Sequence, residues 1–271
     1  MYLIQDYCNG GDLKELIKTR GKLSQLAASK IMRKVVDGAC TFWKMNVIHR
    51  DIKLANVLLH FPKYPEVGEM NREQKDNFLC NFDFEHEDFK CVISDFGMST
   101  IVQENSIHQM TICGTPLYSS PELLKKKGYS YKVDIWALGI LCYELLMART
   151  PFHSKKLAEL LNRINRGDYA VAMEEPTSIE AALFLVDCLQ ADEERRTSME
   201  SIQNHPFLKL EQEVEGEEML SGVKLAKPLL IRQHELQKKV WARVFAKVSR
   251  EVTSLSEDLI DMAHFGQPQL I

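Results

Sequence analysis

The stretch HRDIKLANVLL, residues 49–59, decides how the rest of this chain is interpreted. A helical pattern of apolar residues precedes it, and the VLL that closes it is an apolar run typical of a buried strand. The side chains of Asp51, Lys53 and Asn56 therefore fall within one short loop between a helix and a strand. A carboxylate, an ammonium group and an amide in such proximity form a candidate catalytic cluster.

A second motif, ISDFG at residues 93–97, follows another apolar run. The two motifs together resemble the catalytic loop and the magnesium-binding loop of eukaryotic protein kinases, whose patterns are H-R-D-x-x-x-x-N and D-F-G. Every fixed position of both patterns is matched. DIWALG at 134–139 and HPF at 205–207 follow in the order that the family keeps, so the resemblance covers about residues 2–208.

The resemblance implies a role for each residue of the two loops. Asp51 corresponds to the catalytic base that accepts the proton of the substrate hydroxyl, and Lys53 to the lysine that neutralises charge on the γ-phosphoryl group. Hard Mg²⁺ prefers oxygen ligands, which Asn56 and Asp95 would supply. The expected cofactors are therefore ATP and Mg²⁺, with Lys53, Asn56 and Asp95 contacting them.

TICGTPLYSSPELL, residues 111–124, resembles the activation segment of the family. The resemblance implies that Thr111 is a phosphorylation site whose phosphate is bound by Arg50. It also implies that Thr115 lies beside the catalytic loop as a catalytic residue and favours serine and threonine substrates over tyrosine. Ser120 departs from the family's usual alanine in this segment.

Two further features are expected to stabilise the fold. Glu122 matches a family glutamate that pairs with an arginine, here Arg196. The run DIWALGILCYELL, residues 134–146, is apolar on almost every face, which predicts a helix surrounded by protein at the centre of the core.

The beginning of the chain, YLIQDYCNGGDL at residues 2–13, resembles the last strand of the kinase N-lobe, the hinge and the start of the next helix. The resemblance implies that the backbone of Asp6 and Cys8 contacts the adenine edge. It further implies that Asp12 faces the ribose and that Leu58 forms the floor below the adenine. Taken alone, these residues would be interpreted as a connection between a strand and a turn.

We therefore expect an α+β protein-kinase-like fold with a mainly α-helical C-lobe, short β hairpins and a truncated N-lobe. None of the 13 glycines belongs to a GxGxxG motif, and the few residues before the hinge leave no room for the family's strand lysine and helical glutamate. The kinase domain is expected at residues 1–208. A charged linker and an amphipathic helical tail are expected at residues 209–271.

Two segments lie outside the usual kinase pattern. Residues 61–90 carry eight acidic and four basic side chains and show no sustained hydrophobic period. We interpret them as a surface insertion in the form of a solvated loop, with docking of a substrate or partner as the alternative. LQKKVWARVFAKVSR, residues 236–250, is basic and amphipathic. It is interpreted either as a helix packed back on the lobe or as a binding site for a regulatory partner or a membrane surface.

The composition excludes several classes of protein. With 34 basic and 38 acidic residues, the chain lacks the positive charge of a nucleic acid binder. Its seven cysteines never form C-x-x-C, which indicates reduced thiols and a cytoplasmic location. The chain begins without the pattern of a signal peptide, and no apolar stretch is long enough for a transmembrane segment.

Two functional hypotheses follow. In the first, the chain is an N-terminally truncated, ATP-dependent serine/threonine protein kinase whose partners are protein substrates; alone, it is expected to turn over little or no substrate. In the second, it is a catalytically inactive C-lobe that acts as a binding or decoy module. The intact set Asp51, Lys53, Asn56 and Asp95 favours the first. The sequences of residues 118–122 and of the hinge most closely resemble those of the autophagy-initiating and calcium/calmodulin-like groups of serine/threonine kinases.

Overall fold

The computed structural model describes residues 4–101, 117–126, 128–154, 156–167, 177–211 and 219–220. Helices α1 to α8 are Leu13–Arg20, Gln25–Trp43, Arg72–Asn81, Pro121–Leu124, Lys132–Met147, Leu157–Arg166, Ile179–Cys188 and Met199–Gln203. Strands β1 to β6 are Val47–Ile48, Val57–His60, Lys90–Ile93, Thr100–Ile101, Thr177–Ser178 and Met219–Leu220. The chain divides into two units, 1–226 and 227–271, and every described residue belongs to the first. Across these ranges, no helix combines the length and the apolar character needed to cross a membrane.

Helix α5 lies at the centre of the core, as its apolar sequence predicts. Of its 16 residues, 13 are buried, and it packs against α2 and α7. A Cβ atom at Gly139 would lie 2.7 Å from the Cβ of Cys188 on α7, so these two helices approach closely only because the residue is glycine. The helix-rich core with short antiparallel strands confirms the predicted α+β class.

Two antiparallel strand pairs bring the catalytic loop and the DFG loop together. Strand β2 pairs with β3, beginning at Val57 opposite Ile93, and β1 pairs with β4, with Val47 opposite Ile101. The catalytic loop runs from β1 to β2, and the DFG loop runs from β3 to β4. Because each strand that flanks one loop pairs with a strand that flanks the other, the two loops emerge side by side.

The interpretation of residues 61–90 as a solvated loop is wrong, because the segment is folded. It contains a 3-10 turn at Pro65–Gly68 and helix α3, and it buries a cluster of aromatic rings. The cluster's buried members are Phe61, Phe82, Phe84 and Phe89. Helix α3 shows no hydrophobic period because only Leu79 on it is buried, and its start is set instead by a capping box between Asn71 and Gln74.

The insertion is attached to α1 and α2 by polar and cationic contacts. The Nη1 of Arg20 donates to the Phe82 carbonyl at 2.7 Å, and the Thr19 hydroxyl donates to Asp76 at 3.1 Å. Lys30 donates to the carbonyl of Glu85. These contacts make the insertion part of the folded lobe.

Candidate active site

The catalytic loop gathers its three predicted polar residues around one carboxylate. The Nζ of Lys53 lies 2.7 Å from Oδ2 of Asp51, and Nδ2 of Asn56 lies 3.0 Å from the same oxygen. Nδ2 of Asn56 also donates to the Asp51 backbone carbonyl at 2.9 Å. Asp51 and Asn56 are buried, whereas Lys53 is half-buried. The carboxylate therefore has a fixed position and a cation beside it.

A buried carboxylate on α5 fixes the backbone of this loop. The carboxylate of Asp134 accepts hydrogen bonds from the backbone N–H groups of His49, at 2.7 Å, and Arg50, at 2.8 Å. Burial raises the pKa of Asp134 to about 6, although the two hydrogen bonds and the charge of Arg50 oppose that rise. Arg50 has a φ of 69°, a region that non-glycine residues seldom adopt, so the two bonds support a strained backbone next to the catalytic carboxylate.

His49 joins the catalytic loop to the DFG loop. Its Nδ1 accepts from the backbone N–H of Asp51 at 3.3 Å, so the proton lies on Nε2, which donates to the Ser94 carbonyl at 3.1 Å. Burial is the largest effect on its pKa, which is lowered, and this keeps the ring neutral. The hydroxyl and backbone N–H of Ser94 both donate to the carbonyl of Asn56.

Asn56 and Asp95 fit a magnesium ion by their chemistry. Both Asn56 donor contacts go to Asp51, and no described residue donates to its Oδ1 atom. Asp95 is exposed, and one carboxylate oxygen accepts only a 3.4 Å bond from the Gly97 N–H. Val57 and Ile93 are opposite each other at the end of the β2–β3 ladder, so Asn56 and Asp95 lie one and two residues beyond the same pair. They present an amide oxygen and a carboxylate, which are the ligands that Mg²⁺ prefers.

Arg50 binds the segment that follows the DFG motif. Its guanidinium donates to the carbonyls of Met98 and Ser99 and, at 2.9 Å, to the hydroxyl of Tyr129. All three acceptors are neutral, so no described carboxylate neutralises this guanidinium. Its expected partner, Thr111, lies outside the described residues, and the proposed phosphate contact stays a prediction.

The residues predicted to bind the nucleotide lie along the first described segment and β2. Residues 4–8 form no strand and Asp6 is exposed, while most of the strand expected at the start of the chain, residues 2–4, lies outside the described residues. Asp12 and the half-buried Leu58 are partners in an isolated antiparallel bridge, so the predicted ribose and adenine contacts are adjacent. The carboxylate of Asp12 also caps α1 by accepting from the Glu15 N–H at 2.8 Å.

Asn9, which the sequence did not single out, fastens this segment to the insertion. Its amide donates to the carbonyls of Phe61, at 3.3 Å, and Tyr64, at 2.9 Å, and its Oδ1 accepts from the Phe61 N–H at 2.9 Å. The next residue binds β2 through its backbone, since the Gly10 N–H donates to the Leu59 carbonyl at 2.9 Å. The insertion therefore positions the backbone that follows Cys8.

Two carboxylates belong to, or contact, the described part of the segment that resembles the activation segment, residues 111–124. Glu122 forms the predicted pair with Arg196, with oxygen to nitrogen distances of 2.6 and 3.1 Å. Glu144 accepts from the hydroxyl of Tyr118, and that hydroxyl also accepts a 3.5 Å bond from the Leu54 N–H of the catalytic loop. Burial raises the pKa of Glu144 to about 7, against the opposing charge of Lys14.

The DFG phenylalanine lines an apolar groove beside the site. The Phe96 ring is 45% exposed, and it packs against the rings of His49, at 4.7 Å between centroids, and Phe42, at 5.7 Å. The groove has a volume of about 850 Å³, and Met45 and Ile101 also line it.

Several predicted residues cannot be placed. Thr111, Thr115 and the tail segment 236–250 lie outside the described residues, so their predicted roles are not tested. The supporting roles of Asp134, Asn9 and Glu144 were not predicted from the sequence. An acid within an otherwise apolar helix is a signal for Asp134 and Glu144, because such a group must find a partner when it is buried.

The two strand pairs, the buried carboxylate with its lysine and the two oxygen-bearing side chains form the arrangement that the resemblance to protein kinases predicts. The protein kinase domain family matches residues 1–208, which is more than half of the chain. The chain therefore belongs to the protein kinase family, and the resemblance of the motifs is confirmed.

Serine/threonine-protein kinases and a myosin light chain kinase are among the proteins similar to this chain. The chain is 30% identical over 210 residues to serine/threonine-protein kinase atg1 of Dictyostelium discoideum, an alignment that covers 78% of this chain and 28% of that protein. It is 31% identical to myosin light chain kinase A of the same organism, with 77% and 63% covered. It is 31% identical to serine/threonine-protein kinase plk-1 of Caenorhabditis elegans, in an alignment that covers 77% of this chain and 28% of that protein.

The alignments thus span between 28% and 63% of the length of these relatives. The relatives carry the names of different kinase groups, and the predicted kinship with the autophagy-initiating and calcium/calmodulin-like groups stays a prediction.

Proposed function

We propose that the protein transfers the γ-phosphoryl group of ATP to serine or threonine hydroxyls of protein substrates. The observation that carries this proposal is the Asp51 carboxylate, fixed 2.7 Å from Nζ of Lys53 and 3.0 Å from Nδ2 of Asn56. The serine/threonine kinase names of relatives support the substrate class.

In the proposed reaction, Asp51 orients the substrate hydroxyl and accepts its proton. The hydroxyl oxygen forms a bond to the γ-phosphorus while the bond from that phosphorus to the bridging oxygen breaks, and ADP leaves. Negative charge spreads over the transferred group, and the Lys53 ammonium stabilises it. Asn56 and Asp95 would bind Mg²⁺, which when bound neutralises the β- and γ-phosphate oxygens.

The finer assignments belong to the same proposal. Asp6 and Cys8 contact the adenine through their backbone, and Asp12 and Leu58 contact the ribose and the adenine face. In the activation segment, Thr115 assists at the catalytic loop and a phosphate on Thr111 is bound by Arg50. We further propose a cytoplasmic location and a regulatory partner for the tail segment 236–250.

The experiment compares the protein as the cell makes it, tagged at its C-terminus, with its Asp51→Asn variant. Transfer of labelled phosphate from ATP to a serine peptide should fall about 10²- to 10⁴-fold in the variant, because a general base contributes on that order. Asp37→Asn, on the exposed face of α2, is the matched control and should keep full activity. The purified 271-residue chain is assayed beside it and is expected to turn over little substrate.

The alternative is an inactive binding module, and one observation favours it: no GxGxxG motif occurs among the 13 glycines. Absence of transfer by the cell-derived protein, or equal activity in the Asp51→Asn variant, would overturn the kinase proposal and support the module.

A further inference from the structure

The outer side of the insertion contains a cleft lined by aromatic rings. Its volume is about 440 Å³. The rings of Tyr64, Phe78 and Phe82 line it, with centroids 5.4 to 5.8 Å from one another. Three rings in such an arrangement place more than one electron-rich face within the reach of one side chain.

A carboxylate belongs to the same cleft. Glu87 lines it and accepts a hydrogen bond from the hydroxyl of Tyr64. That hydrogen bond is the main reason that the pKa of Tyr64 is raised. Within the part of the chain that the structure describes, no lysine, arginine or histidine nitrogen lies within 4.0 Å of the Glu87 carboxylate, so its charge has no ionic partner there.

The inner side of the same aromatic cluster shows what its rings bind. The Arg20 guanidinium of α1 lies 5.5 Å from the centroid of Phe84, and Nζ of the Lys34 ammonium on α2 lies 4.9 Å from the centroid of Phe89. Both distances are those of cation–π contacts. The cluster thus binds two cations on the side that faces the lobe, whereas the outer cleft has rings and a carboxylate but no cation from the described residues.

The charge of the insertion points in the same direction. Residues 61–90 contain eight acidic and four basic side chains, so this segment accounts for the whole formal charge of −4 of the chain. A field of this sign attracts cationic ligands and repels phosphates, nucleic acids and anionic membranes.

We propose that the cleft formed by Tyr64, Phe78, Phe82 and Glu87 binds an arginine or lysine side chain from a basic segment of a protein partner. The rings bind the cation through their faces, and Glu87 pairs with its charge. The amide side chains of Asn77 and Asn81, which also line the cleft, add oxygen acceptors at its rim. This proposal does not depend on phosphoryl transfer, because binding is measured without ATP.

Tyr64 connects the cleft to the segment that is predicted to contact the nucleotide. The Tyr64 backbone carbonyl accepts from the Asn9 amide, and Asn9 follows directly on Cys8. A ligand that contacts the Tyr64 ring therefore contacts the residue whose carbonyl binds Asn9, directly after the predicted hinge residue Cys8.

The test titrates the ¹⁵N-labelled 271-residue chain with acetyl-Leu-Arg-Leu-amide and follows its backbone amide resonances. The matched probe has citrulline in place of arginine, which keeps the shape and removes the charge. We expect saturable shifts at Tyr64, Phe78 and Glu87 with the arginine peptide and none with the citrulline peptide. Glu87→Gln should weaken binding by about fivefold or more, on the scale of a partly desolvated charge contact.

Two variants separate the cleft from diffuse charge and from misfolding. Glu73→Gln removes one exposed charge from the same insertion outside the cleft lining and should leave the affinity within about twofold. Phe78→Leu keeps an apolar side chain and should weaken binding, with the remaining spectrum unchanged. Equal shifts with citrulline, an unchanged affinity in Glu87→Gln, or an equal loss in Glu73→Gln would overturn the proposal.

Discussion

The Glu122–Arg196 pair and the Asp51–Lys53 pair both join a carboxylate to a cation, yet they are built for opposite purposes. Glu122 contacts Arg196 through both oxygens, and the remaining guanidinium N–H groups donate to the carbonyls of Lys132 and Gln190. The arginine side chain is 0% exposed. Asp51 contacts Lys53 through a single 2.7 Å bond, and that lysine side chain is 23% exposed.

The difference shows which of the two ion pairs stabilises the fold and which one leaves a cation able to contact a ligand. The guanidinium of Arg196 also lies over the ring of Trp136, at 5.1 Å from the centroid, so its N–H edge and one of its faces are both in contact with protein. The lysine of the catalytic loop retains N–H groups that a phosphate can reach. We call Glu122–Arg196 the closed pair, because its contacts stabilise the fold. We call Asp51–Lys53 the open pair, because its lysine is available for the proposed reaction.

Removal of one partner from the closed pair has the largest expected effect. Arg196→Ala should lower the free energy of unfolding by about 3–5 kcal/mol, because it leaves the Glu122 carboxylate buried without its cation. Denaturant titration followed by circular dichroism measures this loss.

Arg195→Ala is the control for that substitution. The neighbouring arginine is exposed and lies 3.5 Å from the carboxylate of Asp192, so its loss should cost less than about 0.5 kcal/mol. If Arg196→Ala unfolded at the same denaturant concentration as the unmodified chain, the structural role of the closed pair would be refuted.

Glu144 gives a third case to compare with the two ion pairs, because the partner of this half-buried carboxylate is a hydroxyl and not a cation. Burial raises its pKa from 4.5 to about 7. Between these two pH values the folded protein keeps a proton that the unfolded chain releases, so its contribution to stability falls as the pH rises. The difference amounts to at most about 3 kcal/mol.

Glu144→Gln should remove this dependence. Glutamine still accepts from the Tyr118 hydroxyl, so the variant should be more stable than the unmodified chain above pH 7 and lose that advantage near pH 4.5. Urea titrations at several pH values measure the difference. Glu194→Gln, an exposed position, should show no such trend, and parallel pH profiles for Glu144→Gln and the unmodified chain would contradict the prediction.

Much of the catalytic centre follows from the sequence because its spacing is local. Asp51, Lys53 and Asn56 lie within six residues, so a single loop brings them together whatever surrounds it. The apolar run of α5 likewise predicts its burial without knowledge of its neighbours. The partnership of Glu122 with Arg196, 74 positions apart, came from the family resemblance alone.

The insertion could not be predicted because its order arises from contacts that leave no period in the sequence. Helix α3 buries a single residue, so the 3.6-residue pattern that marks other helices is absent. Its aromatic cluster packs against Arg20 of α1 and Lys34 of α2, which lie dozens of residues earlier in the chain. Asn9 shows the same limit, since an asparagine before two glycines is typical of a turn whether or not it binds a distant loop.

The open pair should show the smallest effect on stability. Lys53→Met keeps most of the side-chain length and removes the charge. The buried Asp51 carboxylate keeps the hydrogen bond from Asn56, and an ion pair with a partly exposed cation contributes only about 0–1 kcal/mol. The free energy of unfolding should therefore stay within about 1 kcal/mol of the unmodified chain. Phosphoryl transfer by the cell-derived protein should fall far more than this, because the lysine acts on charge that develops only in the transition state. If Lys53→Met destabilised the fold as much as Arg196→Ala does, the catalytic pair would be a second structural pair, and the distinction between the two would fail.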